Sequence, residues 1–274
     1  MIDLIVDGNS LFARSWFAAA HASGANDPTK AILFAASTLL NLLNPNQNFI
    51  GIHFNRSLFA WDTQQNEAKQ RHPKPPEYHA TKEVFIEMLS TMLKTAHYAH
   101  ENYEGDDIVA TAVYNSKSSD TVYAVSGDKD LMQLEGGNCR YYCLNTKAVL
   151  SAATITNKFK IKRSSQVALA LAIIGDPVDK VMGIYGWGPK RVQRLFASVT
   201  KDMNFAQAFQ VIDQQVPENL KTSFYEALER VLLKTNVPGV PFPAKLVFAK
   251  PSIIDNFGLP ELSFKYSEVY DCYT

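Results

Sequence analysis

Apolar residues gather in three short, nearly unbroken runs, each closing on polar ones: IDLIVD (2–7), FIGIHFN (49–55) and TVYAVSGD (121–128). Runs of this length without strict alternation read as strands buried on both faces, as in a parallel sheet. Between them the apolar spacing changes to three and four. Residues 29–43 carry a continuous apolar face, and residues 81–97 set Val84, Phe85, Met88, Leu89, Met92 and Leu93 at helical intervals. Residues 104–114 repeat the pattern over a shorter span. The alternation predicts an α/β fold, a mostly parallel sheet flanked by helices. Ligands of such sheets sit beyond the carboxyl ends of the strands, where Asp7, Asn55 and Asp128 fall on this reading.

Residues 55–81 break the rhythm. Arg56, Lys69, Arg71, Lys74 and Lys82 stand among prolines and polar residues, with Trp61 and Tyr78 interleaved, as in a long mobile connection over the ligand edge. NCRYYCLN (138–145) reads as a further strand. After Ser164 the periodicity is helical: residues 165–174, a glycine-rich turn, a helix starting at Pro189, then residues 204–214 and 218–234. This divides the chain into an α/β core (1–155), a helical module (156–235) and a proline-rich extension (236–274) expected to pack back on the core.

With 46% hydrophobic and 20% charged residues, the composition is that of a globular protein, and no apolar stretch is long enough to span a bilayer. An odd count of three cysteines without metal-ligand spacing, and no basic segment ahead of the first strand, predict reduced thiols and a cytoplasmic setting. The net charge is zero but segregated. Residues 156–201 hold nine basic side chains against Asp176 and Asp179, whereas residues 101–135 hold eight acids against Lys117 and Lys129. An acidic centre beside a basic flank suits a metal site next to a phosphate-binding surface.

The acids fall where a parallel sheet would collect them. Asp7 ends the first strand, Glu104, Asp106 and Asp107 open a helix in YEGDD, Asp128 and Asp130 follow the third strand, and Asp176 and Asp179 follow IIG. Singly, each has a plain explanation: a first helical turn favours acids, and Asp-x-Asp is ordinary turn chemistry. Together, eight carboxylates in one cleft would repel one another unless protonated or neutralised by cations. An oxygen-only donor set selects Mg²⁺ or Mn²⁺, and a pair of such ions is the apparatus of phosphodiester hydrolysis.

The string GIYGWGPKRV (183–192) is more specific still. Gly183, Gly186 and Gly188 permit a tight turn, Pro189 suits a first helical position, and the turn's N–H groups with Lys190 and Arg191 form a clamp for phosphates of any sequence. These residues, with DGNSLFAR (7–14), YEGDD (103–107), VSGDKDLMQL (125–134) and GDPVDKVMGIYGWGPK (175–190), give a chain that resembles the flap endonuclease and 5′-3′ exonuclease family. The family includes phage exonucleases and the N-terminal nuclease domain of bacterial DNA polymerase I. The motifs span roughly residues 1–200 in order.

The resemblance implies a PIN-like nuclease core with a helix-hairpin-helix module, and two Mg²⁺ or Mn²⁺ ions held by Asp7, Glu104, Asp106, Asp107, Asp128, Asp130, Asp176 and Asp179. It implies K⁺ at the Gly183, Gly186 and Gly188 turn, and DNA contacts from Arg14, Gly186, Gly188, Lys190 and Arg191. A basic arch over residues 55–81 would supply Lys69 and Arg71 to stabilise charge in the reaction. The implied substrate is duplex DNA with a 5′ end or flap, or an RNA–DNA hybrid. The implied setting is a monomer working with replication proteins, those of a phage in its host cell included. Two positions depart from the pattern: Asn55 stands where the second strand should end on aspartate, and Asp62 where arginine is expected. Both would fit a weakened flap- or junction-binding protein instead, while the hairpin speaks against a PIN-type ribonuclease.

Overall fold

The computed structural model describes residues 1–48, 51–63 and 74–274. Strand β1 (Ile2–Asp7) leads into α1 (Gly8–Ser23) and α2 (Pro28–Leu43). Strand β2 (Arg56–Trp61) is followed by α3 (Pro76–Met92), β3 (Leu93–Lys94) and β4 (Ala96–Ala99). Then come α4 (Gly105–Tyr114), β5 (Thr121–Ser126), β6 (Cys139–Cys143) and β7 (Ala148–Leu150). The helical stretch holds α5 (Ala152–Phe159), α6 (Val167–Ile174), α7 (Pro189–Leu195), α8 (Phe205–Asp213) and α9 (Glu218–Val231). The tail forms β8 (Ala244–Lys245), β9 (Val247–Phe248) and α10 (Ser263–Tyr273).

The main sheet runs β4-β2-β1-β5-β6-β7. Its pairs are parallel from β4 to β6; β7 pairs antiparallel on β6, and β8 antiparallel on β2. Alternation along β1 decides which layer each side chain joins. Leu4 and Val6 pack with Phe12, Trp16 and Phe85, and Ile5 packs on the other face with Ile108 and Leu169. Because α6 (VALALAII) is buried almost throughout, the helical stretch shares one core with the sheet. The tail is tied down by β9 against β3 and by the Tyr266 hydroxyl, which donates to the Met92 carbonyl at 2.7 Å.

Two expected elements are corrected. Residues 51–54 form no strand, and the second parallel strand is RSLFAW. Gly51 has φ +58°, and the Asn48 side chain turns the chain there by bonding both N–H and C=O of Ile52. Arg56 disguised the true strand. It lies at the amino edge of the sheet, where its guanidinium bridges Asp3 (2.5 Å) and Asp120 (2.8 Å). The predicted helix over 81–97 is displaced to Pro76–Met92, because β3 and β4 take residues 93–94 and 96–99.

Position 183 shows how tightly the hairpin is built. Gly183 has φ +61°, and a Cβ there would lie 2.3 Å from the Gly175 amide nitrogen. Next to it the Ile184 amide donates to Ile173 at 2.9 Å, closing the turn onto α6. Gly183→Ala is therefore expected to cost at least about 2 kcal/mol, since left-handed strain adds to a backbone clash. Urea unfolding checks this; a loss below about 0.5 kcal/mol would show that the turn accommodates a side chain.

Candidate active site

The strand ends converge because three parallel strands finish at the same edge. Asp7 closes β1 and also begins α1, its Oδ1 accepting from the Ser10 amide at 2.9 Å. Its other oxygen accepts from the Ser126 hydroxyl at 2.6 Å, which ties β1 to β5. Asp62 follows β2 and accepts from the Gly105 amide at 2.6 Å, drawing the start of α4 into the same edge. Glu104 and Asp106 flank that glycine. Beyond β5, Asp128 accepts from the Asp130 amide at 2.9 Å, so both carboxylates project from one turn. Tyr141 on β6 secures that turn from below, its hydroxyl lying 2.5 Å from the Asp128 carbonyl and 3.0 Å from that of Ser126. Asp7, Asp62, Glu104, Asp106, Asp128, Asp130 and Asp179 all line one cleft of about 970 Å³.

Burial and mutual repulsion oppose ionisation here. Burial, partly offset by the Ser126 and Ser10 hydrogen bonds, pushes Asp7 up to about 6. Burial, with Asp107, Glu104 and Asp128 nearby, raises Asp106 well above the ordinary carboxylate range. Asp130 is pushed up to about 8, and Asp179 to about 7, by burial first and by Asp128 next. The donor set fits a hard cation. Carboxylate oxygens of Asp128, Asp130 and Asp179 lie within 4.8 Å of one another, and Asp130 Oδ1 is buried with no hydrogen-bond partner among the described residues.

Not every expected ligand reaches the cleft. Asp107 turns toward the chain after α9, where its Oδ1 accepts from the Lys234 amide at 2.8 Å. Asp176 is wholly buried beneath the turn, pairing with Lys129 Nζ and accepting from the Val178 amide at 3.0 Å. Burial opposes its charge, but Lys129 overrides that and holds the Asp176 carboxyl below the usual range. An electrostatic misfit expected at the end of α6 is thus met by a lysine. Lys69 and Arg71 lie outside the described residues. Sequence reading missed Ser126, Tyr141 and Lys129 as supports, and the cleft-lining Lys158 and Arg230. The GDKD string was the one visible hint of Lys129, since it sets a cation between two acids.

The hairpin forms a second surface. Gly186, Gly188, Lys190, Arg191 and Arg194 border a pocket of about 470 Å³ with Trp187, Pro217 and Leu220. The Arg191 guanidinium lies 4.3 Å from the Trp187 ring centroid. Arg14 stands half-buried on α1, near enough to Tyr142 to act on its hydroxyl.

Residues 3–160 match the family model described as the 5′-3′ exonuclease N-terminal resolvase-like domain. The chain belongs to the 5′-3′ exonuclease family. It is 26% identical over 246 residues to a 5′-3′ exonuclease of Mycoplasmopsis pulmonis, covering 86% of this chain and 81% of that one. It is 24% identical over 252 residues to DNA polymerase I of Caldicellulosiruptor bescii, covering 89% of this chain but only 30% of the polymerase. The fold matches a bacteriophage T5 flap endonuclease, solved with DNA and metal ions, with a TM-score of 0.59 at 18% identity, over 99% and 100% of the two chains. The T5 5′-exonuclease solved with zinc gives 0.57 at 17%, over 98% and 100%. Family and fold therefore stand as expected from the motifs.

Within this fold the two apparent departures resolve together. Asn55 sits at the amino edge of the sheet, its Oδ1 accepting from the Ile2 amide at 2.8 Å. The aspartate that follows the second strand is Asp62, which lines the cleft. The ground for a weakened binding protein disappears with that correction. Raised carboxyl pKa values also fix a direction for stability. The folded state binds more protons than the unfolded one between about pH 4 and about pH 8, so metal-free stability falls as pH rises through that window. Thermal unfolding should show Mg²⁺ stabilising the protein more at about pH 8 than at about pH 5. Equal shifts at both would contradict this electrostatic reading.

Proposed function

We propose that this protein is a structure-specific 5′ nuclease that hydrolyses phosphodiesters of DNA, or of RNA–DNA hybrids, near 5′ ends. The observation that carries it is the convergence of seven carboxylates in one cleft on a fold that also presents a cationic hairpin. In this proposal Asp7, Asp62, Glu104 and Asp106 hold one divalent ion, and Asp128, Asp130 and Asp179 hold a second. Oxygen-only donors favour Mg²⁺ or Mn²⁺. Bound there, such ions supply an activated water and neutralise charge on the leaving oxygen.

The chain's own residues do the positioning. Ser126 fixes Asp7, the Gly105 amide fixes Asp62, and Tyr141 fixes the turn that bears Asp128 and Asp130. Lys190 and Arg191, with the N–H groups before α7, hold duplex phosphates without reading sequence, and the Gly183–Gly188 turn takes K⁺ through its carbonyls. Lys69 and Arg71 remain the proposed source of charge stabilisation from residues 64–73. Support comes from the T5 flap endonuclease complexed with DNA and metal ions, which shares this fold. Monomeric action beside replication proteins, in the cytoplasm, completes the proposal; no helix among the described residues is long and apolar enough to cross a membrane.

Cleavage of a 5′-labelled flap duplex in Mg²⁺ tests it, with EDTA as the control. Asp130→Asn should lower cleavage by at least about 10³-fold, while flap binding in EDTA stays within a few-fold. Lys190→Ala with Arg191→Ala should weaken binding evenly across sequences and reduce the salt slope by about two. Retained cleavage in Asp130→Asn would remove that carboxylate from the reaction.

A further inference from the structure

Asn9 stands in the first turn of α1 and lines the carboxylate cleft beside Asp7. Both polar atoms of its side chain, Oδ1 and Nδ2, are shut off from solvent and have no hydrogen-bond partner among the described residues. A carboxamide left so destabilises a fold, whereas an apolar side chain of the same shape would do little harm there. Folding therefore gives no reason for the amide. Its surroundings give one. The point that a Cβ on Gly105 would take lies 3.1 Å from Asn9 Nδ2 and 3.3 Å from Asp62 Oδ1. Gly105 stands between Glu104 and Asp106, so the carboxamide reaches the acids where that glycine leaves room.

We propose that Asn9 is a positioning residue that holds water in the shell of the divalent ion assigned to Asp7, Asp62, Glu104 and Asp106. This rests on the 5′-nuclease reading and adds to its metal site a neutral group that does not touch the ion. The pair of orphaned atoms selects water. Oδ1 only accepts and Nδ2 only donates, so a cation would serve one and a phosphate the other, while water, donor and acceptor at once, serves both. A small, hard ion such as Mg²⁺ keeps several waters beside its carboxylates, and each of those needs polar partners in turn. Neutrality matters as much as reach. Aspartate has nearly the shape of asparagine, but an eighth carboxylate in this cleft would add to the repulsion. Gly105 belongs to the same arrangement, since a side chain there would press on the Asn9 amide and the Asp62 carboxylate together.

Calorimetric titration of Mn²⁺ into metal-free protein, paired with thermal unfolding in EDTA, tests this without turnover. Asn9→Leu is expected to weaken one of two Mn²⁺ sites about tenfold, the scale of losing a group that orients a metal's ligands, and to leave the other within about twofold. Its unfolding midpoint in EDTA should equal or exceed that of the wild type, because the unpaired amide is gone. Asn9→Ser, whose hydroxyl donates and accepts and leaves space for a further water, should regain most of the lost affinity. Gly105→Ala should weaken the same site by crowding the amide. Unchanged Mn²⁺ affinities in Asn9→Leu, or a lowered midpoint in EDTA that marks the amide as structural, would overturn the inference alone. A wild-type protein that takes up no Mn²⁺ would overturn the nuclease reading, and this inference with it.

Discussion

Carboxylate repulsion in a buried place is the constraint on which the rest of the structure turns. Asp128, Asp130 and Asp179 bring oxygens within 4.8 Å of one another, and Asp7, Asp62, Glu104 and Asp106 share their cleft. No arrangement of protein groups alone makes seven such neighbours comfortable at neutral pH. Burial first, with the neighbouring carboxylates adding to it, raises Asp7, Asp130 and Asp179. One acid is relieved by the chain itself, since Lys129 pairs with buried Asp176. The others keep a charge demand of the kind that divalent cations would satisfy.

Holding the cluster together is the task of the scaffold. Parallel pairing brings the ends of β1, β2 and β5 to one edge, and short hydrogen bonds then set each carboxylate. Ser126 links two strands through Asp7, Asp62 links β2 to α4 through the Gly105 amide, and Tyr141 braces the Asp128 turn from β6. The strain is borne by a continuous apolar core that runs from the sheet through α6 into the hairpin. That continuity places the glycine-rich turn at a set distance from the cleft. A stable core can sustain a locally unfavourable site, which is the usual stability cost of function.

Much of this was legible in the chain. The runs IDLIVD and TVYAVS announced β1 and β5, and the motifs from DGNS to GIYGWGPK placed both the acids and the hairpin. What misled was local apolarity. FIGIHF is apolar enough for a strand, but Gly51 and Asn48 turn it, and the strand begins instead at Arg56, whose charge hides it. Arg56 is tolerated because Asp3 and Asp120, far apart in sequence, meet it at the sheet edge. That register error alone made Asn55 look like a lost ligand and Asp62 like an intruder. Side-chain direction was equally invisible: adjacent acids Asp106 and Asp107 face opposite partners, one the cleft and the other Lys234. Spacing specifies which residues are near one another, and only packing decides where each points.

The central claim is that the cleft holds protonated carboxyls until divalent ions displace the protons. Calorimetric titration of Mn²⁺ into metal-free protein near neutral pH tests it most directly, repeated in buffers of different ionisation enthalpy. The account predicts two ions per chain with net proton release, because metal binding requires ionised ligands. Binding with no proton release, or no binding at millimolar Mn²⁺ (on the order of 10⁻³ M, within the range of oxygen-donor sites), would contradict it.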